Sequence, residues 1–271
     1  MQNVLFYGNC QLEKLMDIMC LPPAYFKATY IPCFLTDLEF DHILKESDII
    51  ITQPIHDNYR DKYYLSSNYI VNKCKENAII LFVNNCHFNF YYFDLTYTES
   101  CNYLHSSIID CINNNKDVNY YKNVYIKNSD LKSSNELTEI FNKTITELNN
   151  HYQNMLQYKK NNTYFINVIP FIEKNYKNTL LFYTFNHPTK YLLQFIALEI
   201  INILDICDTI NYDFDPFNYE RGILYSCIQK MVNFNIEKHT PYMNGSSDVN
   251  DIFNSAKKYQ DLALRFAYDL F

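Results

Sequence analysis

The pattern of apolar and polar positions divides the first part of the chain into short buried strands and amphipathic helices. Runs of β-branched and aromatic residues predict strands near residues 3–7, 28–33, 48–52 and 78–83. Helical spacing of apolar residues predicts helices near residues 10–20, 36–46, 59–75 and 100–114. Because alternation of strands and helices is typical of βαβ units, the sequence predicts a largely parallel sheet in an α/β domain.

The second half of the chain is patterned differently. Residues 115–135 are polar and rich in Asn and Lys, as in a loop or insertion, and a helical stripe of apolar residues follows over 137–148. An apolar run over 179–185 predicts another buried strand, and residues 191–206 predict a long helix with Pro188 in its first turn. The tail over 247–271 is again amphipathic. We therefore expect one domain over 1–205 and a helical extension over 206–271 packed on it.

Charge and cysteine usage exclude several classes of protein. The formal charge is −7, and with only three arginines the chain lacks the basic face that a nucleic-acid partner would require. Nine cysteines without a CxxC spacing indicate reduced thiols of an intracellular protein and argue against a zinc site. The N-terminus has no signal-peptide pattern, and no apolar run reaches the roughly 18 residues of a membrane span. We expect a cytoplasmic protein without a bound metal.

Four polar clusters each follow a predicted strand directly. The carboxyl ends of parallel strands lie on one edge of a sheet, so these clusters are expected to converge on one crevice. Glycine is scarce in this chain, which indicates that Gly8 meets a backbone need such as a positive φ or the close approach of a ligand. The clusters are Gly8-Asn9-Cys10-Gln11, Thr52-Gln53-Pro54, Asn84-Asn85-Cys86-His87 and Asn186-His187-Pro188.

The chain resembles the WcbI-type polysaccharide-biosynthesis acetyltransferases in three places. These are the GNCQ turn after the first strand, the Gln-Pro after the third strand, and the stretch LFYTFNHP before a long helix. The resemblance covers roughly residues 1–205. It implies a three-layer fold similar to SGNH hydrolases, with a mostly parallel, flavodoxin-like sheet and additional C-terminal helices. It also implies coenzyme A binding and acetylation of sugars.

The same resemblance suggests roles for individual side chains. Cys10 stands where SGNH-type enzymes carry a serine nucleophile, and a helix N-terminus there is expected to lower the thiol pKa. His187 is expected to act as general base or acid, with His87 as a further catalytic candidate although the family's His-Pro is replaced by His87-Phe88. The expected oxyanion or substrate contacts are Gly8, Asn9, Gln11, Gln53, Asn84, Asn85 and Asn186.

Two cations follow the clusters closely. Arg60 and Lys190 are expected to contact the phosphates of coenzyme A, Arg60 through a bidentate fork and Lys190 as a point charge. The remaining histidines have no evident partners in the sequence, and we expect structural roles for them. They are His42, His56, His105, His151 and His239.

The function expected from these observations is transfer of an acetyl group from acetyl-CoA to a hydroxyl or amine of a sugar or nucleotide sugar. Either His187 deprotonates the acceptor for direct attack, or Cys10 first takes the acetyl group. Two other classes stay open: an SGNH-like carbohydrate esterase, and a glycan- or nucleotide-binding module without catalysis. The sequence fixes neither the sugar nor the oligomeric state.

Overall fold

The computed structural model describes residues 1–35, 40–98, 103–207, 209–258 and 264–265. Its centre is a five-stranded parallel sheet of β1 (Gln2–Gly8), β2 (Phe26–Pro32), β3 (Ile49–Thr52), β4 (Ile79–Val83) and β7 (Thr163–Ile166). The strand order β2-β1-β3-β4-β7 is that of a doubly wound, flavodoxin-like sheet. The predicted α/β class is thereby confirmed.

Both faces of the sheet are covered, which explains the continuous apolar strands. Val4 and Phe6 of β1 pack with α1 and α8, whereas Leu5 and Tyr7 face α2 and α3 on the opposite side. The end of α6 covers β4 on that second side. The helices are α1 (Cys10–Met19), α2 (Phe40–Glu46), α3 (Ser67–Lys73), α4 (Ser106–Asn113), α5 (Val118–Tyr121), α6 (Ser134–Met155), α7 (Ile169–Asn175), α8 (Lys190–Leu204) and α9 (Val249–Lys258).

Two small antiparallel sheets stand beside the central one. Strands β5 (Leu95–Thr98), β6 (Tyr103–His105) and β10 (Leu264–Arg265) form the first, and β8 (Phe182–Thr184) pairs with β9 (His187–Pro188) in the second. The chain between α8 and α9 is mostly extended, with short 3₁₀ helices at Ser226–Lys230 and Ile236–Lys238. Among the described residues after α8, helical structure is therefore limited to these two 3₁₀ turns and α9. The domain boundary near residue 205 stays a prediction.

Several predicted elements differ from the structure. The run over 179–185 yields only β8, which lies outside the parallel sheet; the fifth parallel strand is β7, whose four residues were too few for a clear periodic signal. Residues 59–75 do not form one helix, because the chain turns through left-handed backbone at Arg60 and Asp61 before α3 begins. Pro188 belongs to β9, and α8 starts after Thr189.

Other predictions need smaller adjustments. The helix expected over 100–114 begins at Ser106, because β6 occupies the residues before it; residues 100–102 lie outside the described part of the chain. Within the expected loop over 115–135, residues 118–126 form α5 and a π-helical turn. Of the expected helix over 36–46 the structure describes 40–46, and of the tail over 247–271 it does not describe 259–263 and 266–271. No described helix has the length and apolar character needed to cross a membrane.

Candidate active site

The first cluster forms the junction between β1 and α1. Asn9 is the N-cap of α1, with extended backbone at φ −82° and ψ −173°, and its side-chain oxygen accepts a hydrogen bond from the Gln11 N–H at 2.9 Å. Its own N–H donates to Gln53 Oε1 at 3.0 Å, and its side-chain amide donates to Asn85 Oδ1 at 3.0 Å. Cys10, the first residue of the helix, is therefore held in a fixed position at the carboxyl edge of the sheet.

The Gln11 amide connects all four sequence clusters. Its Nε2 donates to the carbonyl oxygens of Cys86 and Asn186, both at 2.8 Å. Its Oε1 accepts from Gln53 Nε2 at 3.1 Å and from the Cys86 N–H at 3.0 Å. Gln11 and Gln53 are both buried. This geometry favours a positioning role for the two glutamines over the direct substrate contact expected from the sequence.

Gly8 meets a packing requirement and does not have a positive φ. A Cβ atom at this position would lie 2.7 Å from Gln53 Oε1 and 2.7 Å from a methyl carbon of Leu12. The Gly8 carbonyl also accepts hydrogen bonds from the Cys33 N–H and the Tyr30 hydroxyl. The glycine therefore lets the buried Gln53 amide reach the Asn9 N–H.

Cys10 and His187 lie side by side, with the thiol sulfur 3.9 Å from His187 Nε2. The thiol is not activated in the way expected for a helix N-terminus. Burial, followed by the nearby charge of Glu13, raises the pKa of Cys10 to about 11, because desolvation outweighs the favourable backbone N–H contribution. The expectation of a lowered thiol pKa is thus wrong, and Cys10 is a neutral thiol at neutral pH.

His187 is enclosed by aromatic rings and one carboxylate. Its ring stacks on Phe217 at a centroid distance of 4.3 Å, and the Tyr103 hydroxyl lies 3.3 Å from Nε2. Glu220 Oε2 lies 3.7 Å from Nδ1. Burial lowers the pKa of His187 to about 3 and raises the pKa of Glu220 to about 7. The imidazole is therefore neutral near pH 7.

Asn186 and Asn85 complete the surroundings of this pair. Asn186 Oδ1 accepts hydrogen bonds from the Tyr103 hydroxyl at 2.6 Å and from Thr184 Oγ1 at 3.0 Å, which fixes the residue next to His187. Asn85 is buried and accepts from Asn9 through its side-chain oxygen. The side-chain oxygen of Asn85 therefore accepts from Asn9, and the side-chain NH₂ group of Asn85 is a donor for other partners.

Two residues of the third cluster point elsewhere. The Asn84 amide donates to the Leu148 carbonyl in α6 at 3.5 Å, and its Oδ1 is buried and accepts no hydrogen bond from the described residues. The His87 ring packs on Phe185 at 4.7 Å, and its pKa falls to about 4 because of burial and the neighbouring His151. Asn85, which lies between them, is the asparagine of this cluster whose side chain contacts Asn9.

The two predicted phosphate contacts, Arg60 and Lys190, interact with residues outside the Cys10–His187 pair. Arg60 is exposed, and its guanidinium lies over the Tyr59 ring at 5.7 Å. Lys190 begins α8, and its ammonium donates to the Tyr212 carbonyl at 3.1 Å. Among the described residues, no group of three or more His, Cys, Asp or Glu side chains is arranged to hold a metal ion.

Sequence reasoning missed Glu220, Phe217 and Tyr103. Glu220 and Phe217 belong to the segment after residue 206, which carries no recognised motif, and only the fold returns that segment to the sheet edge. Tyr103 lies on β6, where no polar cluster marks it in the sequence. Glu220 is an acidic residue that could have been considered as a partner of His187, but SGNH hydrolases usually have the acidic residue two or three positions before the histidine, and Glu220 comes far after it.

Comparison with known proteins finds a matching family model and a similar solved structure. A family model described as the polysaccharide biosynthesis enzyme WcbI matches residues 3–209. A solved structure of WcbI is similar in fold, with 19% identity and a TM-score of 0.75 over 96% of this chain and 92% of that chain. That structure is described as a novel polysaccharide biosynthesis enzyme, native, without a disulfide bond between coenzyme A and one of its cysteines. No curated protein matches the chain.

Proposed function

We propose that this chain, which belongs to the WcbI family of polysaccharide biosynthesis enzymes, transfers an acetyl group from acetyl-CoA to a hydroxyl or amino group of a sugar or nucleotide sugar. The observation that carries the proposal is the placement of the Cys10 thiol 3.9 Å from His187 Nε2 at the N-terminus of α1. The description of the similar structure names coenzyme A together with a cysteine of that protein, which supports the same cofactor here.

The proposed role of His187 is that of a general base. The ring is neutral at neutral pH, and its Nε2 lies 3.9 Å from the thiol sulfur, so His187 is placed to take a proton from Cys10 or from an acceptor bound there. Because burial lowers the pKa of the ring to about 3, this transfer requires that the imidazolium be stabilised as it forms. The imidazolium formed in that step would lie beside Glu220, whose carboxylate is 3.7 Å from Nδ1. Burial destabilises the imidazolium form of His187, and the attraction of the Glu220 carboxylate offsets part of that cost.

The start of α1 supplies donors for a negatively charged oxygen. The backbone N–H of Cys10 lies in the first turn, where helix N–H groups have no intrahelical acceptor. We assign the second donor to the Asn85 NH₂ group, because its carbonyl oxygen is engaged by Asn9. Acetyl-CoA supplies an activated thioester carbonyl when bound, and these two donors would stabilise the oxyanion that develops on it.

Both transfer routes use the same residues. In the direct route, the acceptor attacks the acetyl carbon while His187 takes its proton, the carbon–sulfur bond to coenzyme A breaks, and the proton passes from His187 to the departing thiolate. In the relay, the Cys10 sulfur bonds to the acetyl carbon as coenzyme A departs, and the thiol proton passes through His187 to the coenzyme A thiolate. The acceptor then attacks the acetyl-Cys10 carbon, the carbon–sulfur bond to Cys10 breaks, and the acceptor proton returns through His187 to the Cys10 sulfur. The high pKa of Cys10 means that the relay needs His187 to remove the thiol proton during the attack.

Two variants test the proposal. His187→Ala should lower kcat by about 100-fold or more while coenzyme A affinity changes little. His42→Ala is the matched control, because His42 is exposed and its ring contacts only Glu46 among the described carboxylates. Unchanged turnover in His187→Ala would refute the assignment of the base.

Cys10→Ser separates the two routes, with Cys20→Ser as control because Cys20 is an exposed thiol at the opposite end of the same helix. Intact-mass measurement after incubation with acetyl-CoA alone should show one added acetyl group in wild type and none in Cys10→Ser if the relay operates. Nearly full transfer by Cys10→Ser, together with an unmodified wild type, would establish direct transfer.

We propose phosphate contacts for Arg60 and Lys190, as the sequence suggested, and a structural role for His87. We also propose that residues 206–271 belong to the same domain, because Phe217 and Glu220 complete the surroundings of His187. Thermal unfolding with coenzyme A, measured on wild type and on Arg60→Met, tests the phosphate contact. An equal stabilisation of both proteins would contradict it for Arg60.

One observation keeps a carbohydrate esterase as a second candidate. Glu220 gives His187 the acidic partner that SGNH-type hydrolases have and that the residues before His187 lack. Turnover of p-nitrophenyl acetate to acetate without a sugar, and faster than acetyl transfer from acetyl-CoA, would favour the esterase. Binding of coenzyme A or glycan without turnover of either substrate would indicate a binding module.

A further inference from the structure

Arg221 carries a positive charge without a matching negative group. Its Nε is buried and has no hydrogen-bond partner, and no described carboxylate lies within ion-pair distance of its guanidinium. A guanidinium offers five N–H donors in a fixed planar fork. Arg221 is half-buried, and its Nε is shielded from water without an acceptor, which is unfavourable, so this edge of the guanidinium calls for an acceptor that the described chain does not supply.

The backbone holds Arg221 in this position firmly. Its N–H and carbonyl pair with Tyr242, each at 2.8 Å, and the N–H of Gly222 donates to the Tyr183 carbonyl at 2.7 Å. The segment thus runs as a strand between β8 and Tyr242. A Cβ atom at Gly222 would lie 2.7 Å from the Tyr92 ring, which shows how closely this segment packs. Because side chains alternate along a strand, Glu220 faces His187 while Arg221 lies on the opposite face.

The surroundings of Arg221 are aromatic and carry little negative charge. Its electrostatic neighbours are Tyr92, Tyr183 and His239, and burial together with Arg221 lowers the pKa of His239. The carboxylate known to lie near Tyr183 is Asp215, but its two oxygens accept from the Tyr183 hydroxyl and the Lys190 N–H. Tyr191, an electrostatic neighbour of Tyr183, and Tyr242, the backbone partner of Arg221, are both exposed.

We propose that Arg221 binds a phosphate group of a nucleotide-bearing ligand, with neighbouring tyrosine rings beside it. A phosphate provides the coplanar oxygens that the guanidinium fork fits, and it carries the charge that the site lacks. The assignment does not require the Cys10 and His187 chemistry. It deepens the proposed function in one respect, because both acetyl-CoA and a nucleotide sugar contain a diphosphate.

Calorimetric titration of the full chain with three probes tests the assignment and identifies the source of the phosphate. The probes are inorganic pyrophosphate, coenzyme A and UDP, each titrated into wild type, Arg221→Met, Arg221→Lys and Arg60→Met. Wild type should bind pyrophosphate, and Arg221→Met should bind it about 10- to 100-fold more weakly, as expected for loss of a charge-assisted contact. Arg221→Lys should fall between them, because an ammonium keeps the charge but loses the fork.

The other two probes separate the sources. Weaker binding of coenzyme A alone in Arg221→Met would place the acetyl donor at this residue, and weaker binding of UDP alone would place the nucleotide of the acceptor there. Binding of all three probes within twofold of wild type in Arg221→Met would overturn the proposal. The same holds if wild type binds none of them.

Ligand-free stability distinguishes a binding role from a structural one. An unpaired charge contributes nothing to folding, so the melting temperature of Arg221→Met without ligand should equal or exceed that of wild type. A fall of several degrees would show that Arg221 stabilises the fold and would overturn the assignment. Acetyl transfer that depends on His187 but not on Arg221 would leave the proposed function intact while removing this site.

Discussion

Replacing the Gln11 amide is expected to destabilise the protein strongly. Gln11→Met keeps the approximate length of the side chain but removes its four hydrogen bonds, to Gln53, the Asn186 carbonyl and both backbone groups of Cys86. Cys86 and Gln53 are buried, at 1% and 0% exposure, so water cannot readily replace the lost partner. Each neutral group left without a partner costs about 1–3 kcal/mol, and the total expected here is about 3–5 kcal/mol because such costs are not additive.

Urea unfolding followed by circular dichroism measures this loss. The matched control is Gln229→Met, because the Gln229 amide also makes three hydrogen bonds, to the Val232 and Phe234 carbonyls and the Ile236 N–H. Gln229 is exposed, so water can satisfy the freed groups and the cost should be below about 1 kcal/mol. Equal destabilisation by the two substitutions, or a cost of less than about 1 kcal/mol for Gln11→Met, would refute the reasoning.

Three further predictions concern groups around the site. Asp94→Asn should destabilise the protein by about 3 kcal/mol at pH 7. Burial alone would raise the pKa of Asp94, but the neighbouring His105 and the hydrogen bonds that Ser107 and Tyr225 donate to Asp94 hold this pKa below its ordinary value. That stability is present above the unfolded pKa and is lost as the pH falls through the folded pKa, so the difference from wild type in urea unfolding should shrink as the pH is lowered below 3.8, the ordinary value; a difference that stays constant in acid would contradict it. Burial raises the pKa of Glu220 to about 7, so kcat of the wild type should rise with pH with an apparent pKa of about 7, and Glu220→Gln should remove that rise. The substitution should not reduce stability at pH 8, where the buried carboxylate of the wild type is ionised and unfavourable. An unchanged pH profile of kcat would exclude Glu220 from catalysis. Gly8→Ala should cost about 1–3 kcal/mol, since the added methyl meets Gln53 and Leu12 at 2.7 Å, and an unfolding midpoint equal to wild type would show that Gln53 moves freely.

The sequence by itself determined the parallel sheet and one half of the site. Continuous apolar strands buried on both faces, as in β1 and β3, alternate along the chain with amphipathic helices, and a parallel sheet covered by helices satisfies both patterns. Polar residues directly after such strands must then lie at one edge, which is why Cys10, Gln11, Gln53 and Asn85 could be grouped before any coordinates. The match of the family over residues 3–209 confirms the resemblance found in these motifs.

The tertiary structure decided how these residues are used. Gln11 and Asn84 stand in similar polar clusters, yet one connects the site and the other points into α6, because side-chain direction depends on local backbone geometry. The thiol pKa of Cys10 depends on burial, which no spacing in the sequence encodes. The Glu220 carboxylate lies 3.7 Å from His187 Nδ1, although Glu220 follows His187 only after the whole of α8 and the extended segment beyond it. Such a contact is set by how the chain after α8 folds back on the sheet, and that path follows from packing of the whole molecule.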